Sequence, residues 1–189
     1  MATARTLLAL AFALTLAGCG GPLVGVHLEE TRICLVRQSQ TVPGTHLPAG
    51  AVVADQAVTW EGDVDVGSVI PGLTTAGAVT GSIHVLSLTA TAVPATTDLS
   101  GVSSAAVAVV DSAGQAATFL HYTRPQPVTT TSAIDMVLDQ DLNMLDELQG
   151  GLLHYRVRFT GQPPSNDWTA DIETCLSADL TVDALKALQ

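Results

Sequence analysis

The chain of 189 residues is 47% hydrophobic, and only 13% of its residues are charged. Its 18 Asp and Glu residues outnumber its 7 Lys and Arg residues, so the formal net charge is −11 at pH 7. This balance excludes nucleic acid as an expected partner, because phosphate binding needs a basic surface. It also disfavours direct electrostatic docking onto anionic lipid headgroups.

An apolar run near the start, residues 7–16, does not have the pattern of a folded domain. The run is shorter than the roughly 20 apolar residues that a permanent membrane-spanning helix needs. Arg5 precedes the run, and the small residues Ala17 and Gly18 follow it. This order is typical of a secretory signal peptide, so we expect residues 1–18 to be removed.

The residues at the end of this segment, Leu-Ala-Gly-Cys at 16–19, resemble the lipobox of bacterial lipoproteins. The resemblance implies that the sulfur of Cys19 receives a diacylglyceryl group and that a dedicated signal peptidase cuts before it. Two or three acyl chains hold a protein to a membrane far longer than one chain does. In a cell with two membranes the resemblance further implies the outer membrane as destination, because Gly20 stands where an inner-membrane protein of this family usually has Asp. In a cell with a single membrane it implies the outer face of that membrane.

The expected mature chain, residues 19–189, has a length that suits one domain. We expect residues 19–30 to form the lipidated amino terminus and a tether, and residues 31–189 to form a single domain. A domain of this size buries roughly 70% of its unfolded surface. It therefore needs no metal to fold, and no cofactor is expected.

Two further cysteines, Cys34 and Cys175, lie near the two ends of the expected domain. An exported domain reaches an oxidising compartment, where an even number of cysteines is typical of disulfide bonding. The sequence therefore predicts a Cys34–Cys175 disulfide that ties both ends of the domain together. Two separate buried thiols are the alternative.

Apolar and polar residues alternate over residues 153–160 and 168–182, which is typical of strands with one buried face. A turn-rich loop at residues 161–167 separates the segments, so we expect them to form a hairpin. Arg156 and Arg158 share the polar face of the first segment. We expect them to be solvated and to pair with Asp171 and Glu173 across the hairpin.

Other parts of the chain also have strand patterns, at residues 32–37, 51–60, 82–92, 104–111, 115–122 and 132–139. The apolar phase slips by one residue within 83–90, which indicates a β-bulge. Residues 111–114 suit a tight turn, and residues 142–149 suit one short helix. The sequence thus predicts an all-β, antiparallel β-sandwich, immunoglobulin-like or jelly-roll-like, with one short helix.

An acidic stretch offers the clearest candidate for a metal site. Asp139, Asp141 and Asn143 have the spacing of the first three ligands of an EF-hand loop. Met144 stands where that loop needs Gly, and Gly150 stands where it needs a bidentate Glu. The loop template therefore fails, and these three residues remain candidates only for an irregular calcium site.

No serine elbow, phosphate loop or zinc spacing occurs in the sequence. We therefore expect a non-catalytic binding or scaffolding module whose partner is an envelope protein or a glycan. An envelope hydrolase with a site built from distant residues is an alternative, with Asp139, Asp141, His121 and His154 as candidates. A lipid-binding module that holds an acyl chain is a third possibility.

Overall fold

The structure is a computed structural model that describes residues 25–48, 56–70, 73, 79–111, 113–148 and 151–183. These residues form eight strands and one 3-10 turn, Leu145–Glu147. The strands are β1 (Gly25–Val42), β2 (Gln56–Asp65), β3 (Val79–Val93), β4 (Val102–Val110), β5 (Ala116–Thr123), β6 (Ala133–Leu138), β7 (Leu152–Gly161) and β8 (Trp168–Asp183).

All eight strands belong to one antiparallel sheet, in the order β1-β8-β3-β6-β5-β4-β7-β2. The sheet is nearly closed and barrel-like, and its inner faces enclose one continuous apolar core. The prediction of an all-β, antiparallel, sandwich-like fold is confirmed. In the described part of the chain, no helix is long and apolar enough to cross a membrane.

The predicted strands at residues 153–160 and 168–182 are confirmed as β7 and β8, each with one buried face. In β7 the side chains of Leu153, Tyr155, Val157 and Phe159 are all buried. In β8 the even-numbered residues from Trp168 to Val182 are buried in the same way. Because successive side chains in a strand point to opposite faces, the sequence alone indicates which residues form this core.

The predicted hairpin between these two strands is wrong. β7 lies between β4 and β2, whereas β8 lies between β1 and β3. Arg156 accordingly pairs with Glu61 on β2, at 2.7 Å, rather than with Asp171 or Glu173. Alternation determines the face of a side chain but does not select the neighbouring strand, and the connection at 161–167 crosses to the other part of the sheet.

The predicted bulge and the predicted turn are both confirmed. The register of β3 against β8 shifts between Val85 and Ser87, so Leu86 is the extra residue. β4 and β5 form a hairpin in which Asp111 Oδ1 accepts hydrogen bonds from the backbone N–H groups of Ala113 and Gln115. Gly114 has a φ of +78°, a backbone conformation that glycine adopts without steric strain.

The predicted helix at residues 142–149 is wrong, since the described residues 142–148 of this range form only the 3-10 turn. The Oδ1 atom of Asn143 accepts hydrogen bonds from the backbone N–H groups of Ile83 and Leu145. The N–H group of Met144 donates to the carbonyl of Ile83 at 2.7 Å, and the Met144 side chain is buried. These bonds to β3 fix the segment against the sheet and replace the bonds that a helix would make.

The first strand is longer than the prediction of residues 32–37. β1 extends from Gly25 to Val42 and pairs along its length with β8. It therefore begins within residues 19–30, the range expected for the tether. Residues 19–24, the predicted start of the strand at 51–55 and the expected lipidation site at Cys19 lie outside the described residues.

Candidate functional site

The two edges of the sheet, β1 and β2, face each other across an opening that we call the seam cleft. The cleft has a volume of about 420 Å³. It is lined from both edges and from the core strands behind them, and its lining includes Leu35, Arg37, Asp63, Ser68, Tyr155 and Thr174. The sheet thus stops short of closing at a place where both strands have an edge that pairs with no other described strand.

The register of β1 shows which of its backbone groups face the seam. Cys34 and Cys175 are direct partners on β1 and β8, with Cα atoms 4.0 Å apart. Such a short separation is typical of a non-hydrogen-bonded pair, whose N–H and C=O groups point away from each other. Since the pattern repeats every second residue, the backbone groups of Arg32, Cys34 and Val36 point away from β8 and into the seam.

On β2, one hydrogen bond identifies the residues whose backbone N–H and C=O groups face the seam. The Nη1 atom of Arg37 donates to the backbone carbonyl of Asp63 at 2.6 Å. Asp63 therefore directs its carbonyl away from β7. Because the hydrogen-bonding direction alternates from residue to residue in an antiparallel ladder, the backbone groups of Glu61 and Asp65 also face the seam. This hydrogen bond is exposed, and it bridges two strands that are not neighbours in the sheet order.

The most unusual polar group in the seam cleft is the phenol of Tyr155. Its side chain is only 2% exposed, and its hydroxyl has no hydrogen-bond partner among the described residues. The ring packs edge-on against Trp60, with centroids 5.5 Å apart. A Cβ atom at Gly62 would lie 2.7 Å from the hydroxyl oxygen, so the absence of a side chain there makes room for the phenol.

Burial raises the pKa of Tyr155 well above its usual value of 10. The positive charge of Arg37 opposes this effect, and the negative charge of Asp63 adds to it. The phenol therefore stays protonated in the folded protein under all ordinary conditions. It remains a hydrogen-bond donor with its proton directed at no protein acceptor in the described part of the chain.

This pKa predicts a loss of stability at high pH. Above about pH 10, unfolding exposes the phenol and releases its proton, whereas the folded state retains it. The contribution of Tyr155 to stability is therefore constant below pH 10 and falls as the pH rises above it, by up to about 1.4 kcal/mol per pH unit. Urea unfolding at pH 9, 10 and 11 should show this slope in the wild type and a smaller slope in Tyr155→Phe. Equal slopes would contradict the assignment.

The outer rim of the seam carries two polar cross-strand pairs between β2 and β7. His154 Nδ1 lies 2.5 Å from Asp63 Oδ1, and Arg156 Nη2 lies 2.7 Å from Glu61 Oε1. Because these side chains are partly exposed, each pair contributes at most about 1 kcal/mol to stability. Their main effect is to hold the outer face of β2 against β7.

Each of the predicted calcium ligands has a contact of its own in the structure. Asp139 lies 3.8 Å from His121, and Asp141 lies 2.6 Å from His84. The amide oxygen of Asn143 is bonded to the backbone of β3, as described above. Each of the three side chains thus has a different partner: His121 for Asp139, His84 for Asp141 and the backbone of Ile83 for Asn143.

The structure brings the hydrolase candidates together only in part. His121 lies near Asp139, but His154 is paired with Asp63, on another part of the sheet. Asp141 pairs with His84, a residue that the sequence pattern did not single out. Asp139 and Asp141 both lie in the loop after β6, but each contacts a histidine of a different strand, His121 on β5 and His84 on β3.

The predicted disulfide is present, with the sulfur atoms of Cys34 and Cys175 bonded. Glu173 Oε1 lies 3.5 Å from the Cys175 sulfur. These three residues bring their ligand atoms within 4.8 Å of one another. Both sulfurs are engaged in the disulfide, so in this state the group is a crosslink between β1 and β8.

A second cleft, of about 400 Å³, opens where β5 and β6 diverge. These strands pair only at Leu120 with Leu138 and at His121 with Val137. Arg124 lies in this cleft, and its Nη1 atom donates to the carbonyl of Ser100 at 2.9 Å. Neither cleft was predicted from the sequence, because each depends on which strands are neighbours.

Comparisons with known proteins give no family for the chain. No family model matches it, and no curated protein matches it. Two similar solved structures are those of the infectious bursal disease virus Gx strain and Gt strain, at 9% and 10% identity. They cover 84% and 82% of this chain, with TM-scores of 0.31 and 0.29. The chain spans about a third of those viral chains, 34% in each case.

Proposed function

We propose that this protein is a lipid-anchored, non-catalytic binding protein of the bacterial cell envelope. The lipobox at residues 16–19 supports the anchor, and Gly20 supports the outer membrane as its location. In this proposal Cys19 carries the lipid, and residues 20–24 connect it to β1. The anchor fixes the domain at the membrane surface, where its partner is an envelope protein.

The observation that carries the binding proposal is the Tyr155 hydroxyl in the seam cleft. A buried polar group without a hydrogen-bond partner costs about 1–3 kcal/mol. A ligand that enters the cleft and accepts this hydrogen bond removes that cost. The same cleft is lined by the apolar residues Leu35 and Ile172 and by two sheet edges, so it offers both apolar contact and hydrogen bonding.

Two exposed valines allow a matched test of the binding site. Val36 lines the seam cleft and Val137 lines the second cleft, and both side chains are 54% exposed. A photo-crosslinking amino acid, p-benzoylphenylalanine, is placed at either position in the full-length protein in intact membranes. We expect a discrete crosslinked partner from Val36, and a weaker one when Tyr155→Phe is added, because its hydrogen bond is lost.

The controls separate the two parts of the proposal. A Cys19→Ala variant should lose both membrane retention and the crosslink, because the domain no longer reaches its partner. A crosslink from Val137 with none from Val36 would move the binding site to the second cleft. The same yield from both positions would indicate non-specific contact and would contradict the binding proposal.

A further inference from the structure

We propose that the ligand of the seam cleft is an extended peptide segment of another protein, which adds to the edge of β1 as an antiparallel strand. The inference rests on the proposed function, because it names the class of partner for the same cleft. It goes beyond that function by specifying how the partner is held. The arguments come from backbone geometry, from strand direction and from the side chains on either face.

The backbone of β1 provides the main recognition element. Arg32, Cys34 and Val36 each direct one N–H group and one C=O group into the seam, as the register with β8 indicates. Such groups recur about every 6.7 Å along a strand. An extended peptide carries donors and acceptors at the same spacing, whereas an acyl chain carries none, and so the edge favours a peptide.

Strand direction determines how the peptide pairs. Neighbouring strands alternate in direction through the eight-stranded order, so β1 and β2 run antiparallel to each other. A strand between them can be antiparallel to only one of the two. Antiparallel pairing is the more stable arrangement per residue, and β1, with 18 residues, is longer than β2, with 10. We therefore assign the antiparallel ladder to β1.

The seam must release one contact to admit the peptide. The Arg37–Asp63 hydrogen bond crosses the opening and is exposed to solvent. An exposed hydrogen bond exchanges with water at little net cost, so its displacement does not oppose binding strongly. The carbonyl of Asp63 then becomes available to a backbone N–H group on the edge of the peptide that faces β2.

The two faces of β1 indicate the side chains that the peptide carries. On the inner face, Leu35 and Ile172 line the same cleft as Tyr155, whose hydroxyl has no partner among the described residues, so the inward side chain carries an oxygen acceptor for that hydroxyl. On the outer face, Arg32 and Val36 are exposed. Cross-strand pairing then favours an acidic residue opposite Arg32 and an apolar residue opposite Val36.

The experiment selects binders from a displayed library of random peptides of about 12 residues, twice the usual strand length. The target is the full mature protein in detergent. Each selected peptide is then synthesised with a single N-methyl group at every position in turn. Pairing through the main chain predicts that N-methylation at alternate residues weakens binding about tenfold or more, while the residues between them tolerate the change.

A pair of variants at Val36 tests the same ladder from the side of the protein. Val36→Pro removes an N–H group that faces the seam, in an edge strand where proline is tolerated. Val36→Thr keeps the N–H group. We expect about tenfold weaker binding for Val36→Pro and about twofold or less for Val36→Thr. The N-methyl series uses the wild-type protein, so the proposal remains testable if Val36→Pro does not fold.

Several outcomes would overturn the inference while leaving the proposed function intact. N-methylation effects without alternation would show that the main chain does not pair with β1. Selection of no peptide at all, together with a crosslink from Val36 in membranes, would show that the cleft binds a ligand of another class. Absence of a crosslink from both Val36 and Val137 would instead contradict the proposed function itself.

Discussion

Replacing both Cys34 and Cys175 by Ala is expected to lower the free energy of unfolding by about 2–5 kcal/mol. The disulfide joins residues 141 positions apart, so it restricts almost the whole unfolded chain. In the chain-entropy model, closing a loop of this length contributes about 5 kcal/mol at most. The bond also secures β1, which has only β8 as a neighbour in the described sheet.

Urea denaturation measures this effect most directly. The oxidised wild type should be the most stable form, and the reduced wild type should match the double variant. Amide hydrogen exchange should rise first in β1, because an edge strand opens more easily than a strand with neighbours on both sides. A difference of less than about 1 kcal/mol between the oxidised wild type and the variant would show that loop closure does not stabilise this fold.

Phe159→Ala is expected to cost about 3–5 kcal/mol of unfolding free energy. The Phe159 side chain is 1% exposed and packs edge-on against Trp168, with ring centroids 6.1 Å apart. Truncation removes buried apolar surface and leaves a cavity between β7 and β8. These two strands are not neighbours in the sheet, so the Phe159 side chain connects them across the core. The variant should therefore unfold at a clearly lower urea concentration than the wild type.

The adjacent residue provides the control for this substitution. Arg158 lies next to Phe159 on β7, but its side chain points outwards and is exposed. Arg158→Ala should change stability by no more than about 0.5 kcal/mol, as surface substitutions usually do. Equal effects of the two substitutions on stability would contradict the assignment of Phe159 to the buried face of β7 and of Arg158 to its exposed face.

The faces of the strands could be predicted from the sequence because they depend only on local alternation. The burial of Tyr155 and Phe159 and the exposure of Arg158 follow from a period of two residues. The bulge at Leu86 was predictable for the same reason, since an extra residue shifts the apolar phase. The disulfide followed from the number of cysteines and the expected compartment.

The order of the strands could not be predicted, because pairing depends on contacts between residues distant in sequence. Arg156 finds Glu61, 95 positions away, instead of the acidic residues of the next strand. The helix at residues 142–149 fails for a related reason, since Asn143 bonds to Ile83, 60 positions away. Local helix propensity is weaker than these tertiary contacts.

The candidate site was missed for the same physical reason. The seam exists because β1 and β2 are the two edges of the sheet, a fact of strand order. The one sequence signal near it is Gly62, which interrupts the pattern of β2 opposite Tyr155. A glycine inside a strand often marks a close approach, so this signal could have drawn attention to the phenol.

The proposed function depends first on the anchor at Cys19, and intact mass measurement of protein purified from membranes tests it most directly. We predict a mature species that begins at Cys19 and carries added acyl mass. After reduction of the Cys34–Cys175 bond, its mass should rise by that of the hydrogens added to the two sulfurs. A Cys19→Ala variant should carry no acyl mass. An unacylated, soluble wild-type protein would contradict the account of a lipid-anchored envelope protein.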